Sequence, residues 1–163
     1  MLEDYRNFLL EVGNGGAGSG SGLLGIGYES EISETLNEES DEFLAQPFLL
    51  NVGWNDLNLM VKNENDYFDY KFIQSTITIA HYGCGMFAKL VMTGEQRGNI
   101  WMDDRSNDGG IYPFERNICY FLHESKQDNV NEDEDMQQPL CFYDCYDEWL
   151  NRMSAVQNYY SSP

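Results

Sequence analysis

The stretch that decides the fold runs from residue 73 to residue 105 and reads IQSTITIAHYGCGMFAKLVMTGEQRGNIWMDDR. In its first segment, residues 73–82, Ile77 and Ile79 alternate with Thr76 and Thr78. Strict alternation of apolar and polar residues over about four to eight positions is typical of a strand with one buried face. We therefore predict a half-buried β-strand over residues 73–82.

Two further strands follow, separated by short turns. Gly83–Gly85 predicts a tight turn, and residues 87–93 predict a second strand. Residues 94–98 have the length and composition of a hairpin loop and lead into a third strand over residues 100–103. Three consecutive strands with short connections predict an antiparallel meander. The polar run Asp104–Gly110 ends the third strand.

Helical patterns lie on either side of the meander. Residues 2–12 place apolar side chains at helical spacing, and Gly13 supplies a stop signal. A second helix is predicted from Leu140 onward, and its apolar face should dock on one side of the sheet. That face is formed by Phe142, Tyr146, Trp149, Leu150 and Met153.

Two acidic segments complete the organisation of the chain. Residues 28–42 predict a solvated helix or loop, and residues 124–138 predict an exposed insertion. A chain of 163 residues is long enough for one domain with a real core. The sequence thus predicts a single α+β domain over residues 1–163, with an antiparallel-rich central sheet and helices packed on it.

The charge balance excludes several classes of partner. Lys and Arg total 9 against 28 Asp and Glu, which gives a net charge of −19. Nucleic acid and anionic membranes would repel such a chain, whereas a basic protein would be attracted at low salt. The alternative is that the acidity serves solubility alone.

Cellular location is predicted from three further features of the sequence. No apolar run reaches the roughly 18 residues of a membrane helix. Residues 1–4 lack the order of a signal peptide, and four scattered cysteines do not suggest a disulfide framework. A reducing cytoplasmic location is therefore expected.

Two loops match ligand-binding motifs as strings. Gly13, Gly15 and Gly18 have the spacing of a dinucleotide fingerprint, but a predicted helix precedes them where the mechanism requires a strand. Residues 104–115 carry the oxygen ligands of an EF-hand calcium loop, yet a strand and a loop containing Pro113 flank them. We favour a turn whose polar side chains cap its own amides, with calcium binding as the alternative.

Zinc binding and catalysis have less support from the residue pattern. His81 with Cys84, and Cys141 with Cys145, offer soft ligands, but structural zinc sites favour two closely spaced pairs. The second histidine, His123, lies in an unrelated setting, and no serine occupies a Gly-x-Ser-x-Gly elbow. We expect a protein that is not an enzyme, with no catalytic residue, no metal and no cofactor.

Six short segments combine glycines, aromatic residues and charges in a distinctive order. They are DYRNFLLEVGNGGAG (4–18), PF (47–48) followed by Trp54, GCG (83–85), LVMTGEQRGNIWMDDR (90–105), GGIYP (109–113) and YDEWL (146–150).

This set resembles the SUKH superfamily, specifically its Smi/Knr-type branch, in order and spacing over nearly the whole chain. The resemblance implies a mixed α+β fold and a binding role without a reaction. Many bacterial members are immunity proteins that block a polymorphic toxin, and fungal relatives are cell-wall glucan synthesis regulators. Members of the family usually carry a helix before the segment that begins here at Met1, so either this chain starts later than they do or that helix is missing. The acidic insertion is also longer than the resemblance leads us to expect.

The resemblance implies a protein partner, which we expect to be a basic, nucleic-acid-targeting toxin domain encoded nearby. The alternative is a regulatory or scaffold protein with several protein partners. The candidate partner-binding residues are Trp101, Asp103, Asp104, Arg105, Asp108 and Tyr112. The residues expected to hold the fold are Gly13, Gly15, Gly16, Gly83, Cys84, Gly85, Gly98 and Trp149. For Trp101 we favour the alternative that it holds the fold, whereas the charged candidates are equally interpretable as local turn residues or as an interface.

Overall fold

The computed structural model of the chain describes residues 2–26, 41–115 and 139–161. Most of the acidic stretch 28–42 and the whole predicted insertion 124–138 lie outside these residues, as do Cys119 and His123. The predictions made for them therefore stay predictions.

Within the described residues the chain forms five α-helices and four β-strands. In chain order they are α1 (Glu3–Glu11), α2 (Asp41–Ala45), α3 (Leu57–Lys62), α4 (Glu64–Tyr67), β1 (Thr76–His81), β2 (Phe87–Val91), β3 (Ile100–Asp104), β4 (Gly110–Pro113) and α5 (Phe142–Ser161). Short 3-10 turns occupy Tyr70–Phe72 and Arg105–Asn107.

The four strands form one antiparallel sheet in the order β1-β2-β3-β4. The predicted α+β class and the meander are thereby confirmed, although β1 is shorter than the segment 73–82. It begins only after Ser75, whose φ of 61° interrupts the extended backbone. The sequence interpretation missed β4 and treated its residues as a loop. Pro113 is the last residue of β4, a position where the missing N–H is tolerated.

The sheet buries both of its faces. On one side, Ile77 and Ile79 of β1 join a core that includes Phe8 of α1 and Phe142 of α5. The Phe142 ring lies 5.2 Å from that of Phe8, so the two helices pack through aromatic contacts. This docking of α5 on one side of the sheet was predicted.

The other face carries a smaller core of Phe48, Ile73, Val91, Trp101 and Ile111. Trp101 belongs to it because side chains alternate along a strand, and its neighbours Ile100 and Met102 lie in the first core. Each fully buried large apolar side chain contributes about 1.5–3 kcal/mol of hydrophobic stabilisation.

Loops cover both edges of the sheet. At the β1 edge, the backbone N–H of Leu24 donates to the Ile79 carbonyl at 2.8 Å, and Gly16 pairs with Leu23. The glycine-rich loop therefore folds back against the sheet, and α1 rather than a strand precedes it. At the β4 edge, Trp54 and Ile111 exchange two backbone hydrogen bonds of 2.7 and 2.8 Å. Covered edges leave few backbone groups open to pairing with another chain.

The apolar face of α5 is only partly buried, which corrects one prediction. Phe142 and Tyr146 contact the first core, and Trp149 is half-buried, but Leu150 and Met153 are exposed. Periodicity identifies the apolar side of a helix but not how much of that side another element covers. In the described part of the chain, none of the helices has the combination of length and apolarity that crossing a membrane requires.

Candidate functional site

Several predicted partner-binding residues converge at one end of the sheet, where β1 turns into β2 and β3 turns into β4. The side-chain amide of Asn107 joins the two turns, because it donates to the Cys84 carbonyl at 2.9 Å and to the Asp104 carboxylate at 2.7 Å. The Asn55 amide donates to the Asp108 carbonyl at 2.7 Å. We define the loop-end surface as Asn55, Cys84, Asp104, Asn107, Asp108 and Tyr112.

The turn between β1 and β2 depends on its glycines. Gly83, Cys84 and Gly85 all have positive φ, at 89°, 50° and 75°. A Cβ on Gly85 would lie 2.8 Å from the side chain of Ser106, so the two turns of the loop end pack closely. This geometry explains why glycine occupies two of these three positions. The Cys84 side chain is exposed and carries a free thiol.

The other three groups of fold residues serve different parts of the molecule. Gly98 is buried with a φ of 95°, and its carbonyl accepts the Phe142 N–H at the start of α5 at 3.3 Å. Trp149 stacks on Tyr146 with a ring separation of 5.5 Å. Gly13, Gly15 and Gly16, all with positive φ, shape the loop that covers the β1 edge.

Asp104 and Tyr112 form a coupled pair on the loop-end surface. They share a side-chain hydrogen bond, and burial, followed by the nearby Asp104 charge and that hydrogen bond, raises the pKa of Tyr112 to about 12. The phenol is therefore protonated at neutral pH and donates to the carboxylate. This bond holds the Asp104 side chain in a fixed direction at the end of β3.

Arg105 and Asp103 are not available to a partner, which corrects two of the predicted contacts. The side chain of Arg105 is 4% exposed and that of Asp103 12%. Arg105 donates to both Asp103 carboxylate oxygens at 2.8 Å, and to the carbonyls of Tyr67 and Asp69 at 3.2 Å. The pair is an internal clamp that holds residues 67–69 against the end of β3.

The predicted role of Trp101 in partner binding is corrected for the same reason. It is 0% exposed, and its ring packs edge-on against Phe48 with a centroid separation of 5.0 Å. A side chain without solvent exposure cannot anchor a partner in this conformation. Trp101 therefore serves the smaller core, as the alternative interpretation of this residue held.

The part of the loop end that faces solvent is polar and acidic. Cys84, Asn107 and Asp108 are exposed, whereas Asp104 and Tyr112 are half-buried. Asp56, also exposed, adds a third carboxylate beside Asn55. Arg105, the cation of the same segment, forms a buried ion pair with Asp103, so its positive charge is neutralised inside the fold. The surface can therefore accept hydrogen bonds and attract positive charge.

Asn55 had no place among the predicted site residues. The amide oxygen of Asn55 accepts a hydrogen bond from the Tyr67 hydroxyl at 3.0 Å, and its amide nitrogen donates one to the Asp108 carbonyl. Asn55 therefore links three distant segments. Only the tertiary fold brings these segments together, since Asn55 and Asp108 are 53 positions apart. The nearest sequence signal was its position directly after Trp54, a residue of the family-like pattern.

The calcium-loop alternative conflicts with the local backbone. Gly110–Pro113 is a strand paired with β3, and Glu115 pairs with Pro139. The Asp104 carboxylate accepts a hydrogen bond from the Asn107 side-chain amide at 2.7 Å. An EF-hand loop instead wraps around the ion and enters a helix. Across residues 2–26, 41–115 and 139–161, no three His, Cys, Asp or Glu side chains gather as a metal site would need.

The thiol of Cys141 is poorly suited to zinc. Burial raises the pKa of this thiol, which favours the protonated form, and zinc binds the thiolate. Cys145 lies in the first core as a small apolar residue.

Fold and surface together define a class: an α+β domain whose four-stranded antiparallel sheet ends in an acidic loop surface. In comparisons with known proteins, no protein-family model, curated protein or solved structure matches the chain.

Proposed function

We propose that this chain is a SUKH-type protein-binding domain that neutralises a basic toxin domain, with the loop-end surface as its contact face. The observation that carries the proposal is the convergence of the GCG (83–85) segment and the Asp104–Tyr112 region on one acidic surface. These are parts of the sequence pattern that most resembles the family. The net charge of −19 supports a partner of opposite sign.

The surface is preorganised for such a contact. Asn107 and Tyr112 fix the Asp104 carboxylate, and Asn55 fixes the backbone at Asp108. Groups that are already ordered lose less conformational entropy when a partner binds. A toxin that acts on nucleic acid carries cations around its active site, and an acidic blocker can occupy the place of phosphate there. Attraction between opposite fields also speeds association.

We also propose that the chain has the SUKH fold and that it acts in the cytoplasm of the producing cell, where a toxin would otherwise act. Neutralisation by occlusion requires no reaction and no cofactor from this chain. The alternative of a regulatory or scaffold protein differs in its partners, because it would bind several of them weakly.

The test uses the protein encoded by the adjacent gene and measures its association rate by stopped flow. We expect a one-to-one complex whose association rate falls about tenfold between 20 and 300 mM salt. Asp104→Asn with Asp108→Asn should slow association, because it removes two negative charges from the loop-end surface. The amide that replaces the Asp104 carboxylate keeps one oxygen that can accept the hydrogen bond from the Asn107 amide, and Asn tolerates the left-handed backbone at position 108.

The matched control removes two charges elsewhere. Glu42 and Glu95 are exposed near the opposite end of the sheet, so Glu42→Gln with Glu95→Gln changes the net charge equally. It should leave the association rate nearly unchanged. Equal effects of both double variants, or an association rate independent of salt, would refute the contact face. A gene with no toxin beside it would favour the regulatory alternative.

A further inference from the structure

A groove of about 650 Å³ lies between α1 and the first half of α5, away from the loop-end surface. Its apolar lining includes Phe8, Phe142 and Tyr146, with Val12 and Leu150 beside them. Val12 is 62% exposed and Leu150 41%, so large apolar side chains face solvent here. Contiguous exposed apolar surface of this kind often marks an interaction site.

Four carboxylates also line the groove. They belong to Glu3, Asp4 and Glu11 of α1 and to Asp147 of α5, and none of the described lining residues is a Lys or Arg. Asp147 accepts a hydrogen bond from Asn151 at 2.9 Å, which leaves its negative charge unneutralised. An apolar lining with an acidic rim complements an occupant that is apolar on one side and basic on the other.

We propose that the α1–α5 groove binds a basic amphipathic helix of a partner protein. The lining comes from two helices and the residue that ends α1, so the groove offers side chains rather than the backbone ladder that an added strand would need. Helix-in-groove recognition uses apolar anchors at positions i, i+3 or i+4 and i+7. Lysines on the flanks of that helix would meet the acidic rim.

The charges disfavour a second copy of this chain as the occupant. A symmetric contact would bring the four rim carboxylates of one copy against those of the other, and each copy carries a net charge of −19. Like charges directly opposed across an interface weaken association. A basic partner gains from the same arrangement.

The probe for the test is a synthetic peptide of about 14 residues, fluorescein-labelled, with leucines on one helical face and lysines on the other. Fluorescence anisotropy measures its binding to the full chain. The control peptides are a scrambled version of the same composition and a version with glutamate in place of lysine. We expect only the amphipathic basic peptide to bind, with a dissociation constant in the micromolar range.

Protein variants assign the binding to the groove. Leu150→Gln removes an apolar contact and Glu11→Gln with Asp147→Asn removes two charges, and each should weaken binding by about fivefold or more. The charge-matched control Glu42→Gln with Glu95→Gln should change it less than about twofold. The loop-end variant, Asp104→Asn with Asp108→Asn, should also leave peptide binding unchanged, so this proposal and the proposed function can fail separately.

Four results would overturn the proposal. The first is that the peptide does not bind the full chain, and the second is that scrambled and amphipathic peptides bind equally. The third is a dimer in sedimentation equilibrium that Leu150→Gln dissociates, which would make a second copy the occupant. The fourth is binding that appears only when residues 116–138 are replaced by a Gly-Ser linker, which would make the chain's own segment the occupant.

Discussion

Replacing Arg105 by Met tests whether the loop end is organised by an internal clamp. The guanidinium makes two 2.8 Å bonds to the Asp103 carboxylate and two 3.2 Å bonds to the carbonyls of Tyr67 and Asp69. Arg105→Met retains an aliphatic stem of similar shape while it deletes all four bonds. The Asp103 carboxylate would then be buried without its cation.

The magnitude follows from that burial. Removing one partner of a buried ion pair costs about 3–5 kcal/mol, because the remaining charge is uncompensated. The Asp103 side chain retains 12% exposure, so some hydration remains and we expect the lower end of that range, about 3 kcal/mol. For a domain of this size, that loss lowers Tm by about 6–12 °C.

Urea unfolding followed by tryptophan fluorescence and circular dichroism measures the change. Lys71→Met is the matched control, because it breaks the Lys71–Asp69 pair, whose side chains are 50% and 39% exposed, and should cost less than about 1 kcal/mol. Adding Asp103→Asn to Arg105→Met should cost less than the sum of the single variants, because no unpaired charge is left. A stable Arg105→Met chain that has lost partner binding would refute the clamp.

Two further predictions concern the same end of the sheet. Gly110 has a φ of 79°, and a Cβ at this position would lie 2.6 Å from the Cβ of Asn55. Gly83→Ala, where nothing lies within 4 Å of the added Cβ, should lower the free energy of unfolding by about 1–2 kcal/mol, the cost of left-handed strain alone, and Gly110→Ala should lower it further. Equal losses for the two variants in urea unfolding would contradict this packing. The pKa of Tyr112 is raised to about 12 in the fold, so this phenol ionises at a lower pH in the unfolded chain than in the folded one. The stability that the protonated phenol contributes is therefore intact below about pH 10 and is lost as the pH rises toward 12. The urea midpoint should therefore fall less steeply between pH 9 and 11 in Tyr112→Phe than in the parent or in Tyr143→Phe, and identical slopes in all three would contradict the raised pKa.

The meander could be predicted because its signals are local. Alternation over residues 73–82 and the glycines of the two turns specify strands and connections without reference to the rest of the chain. The fourth strand could not be found this way, because it is four residues long, begins with Gly110 and ends with Pro113. Its pairing depends on β3 on one side and on Trp54 on the other, and both are tertiary contacts.

Helix α5 shows a different limit. Its periodicity correctly assigned Phe142 to the side that packs on the sheet, but it extended the same role to Leu150 and Met153, which are exposed. Hydrophobic spacing records which residues share a side, and the length of the opposing element decides how many of them are covered. Helix α1 spans nine residues against twenty in α5, so α1 alone cannot cover the full length of α5.

The alternation of side chains along β3 indicates which of its charged residues are buried, although their residue types alone suggest that all of them are exposed. In β3, Trp101 and Asp103 point to the same face, because successive side chains alternate, whereas Asp104 points to the other. Once Trp101 is assigned to a core, Asp103 must be buried with it and requires a cation nearby, which Arg105 supplies. Three neighbouring charged residues, all of them candidates for partner binding in the sequence, therefore have different roles. Asp103 and Arg105 neutralise each other inside the fold, and Asp104 leaves its negative charge at the surface. The loop end is more acidic than a count of its residues suggests, because its one cation is buried.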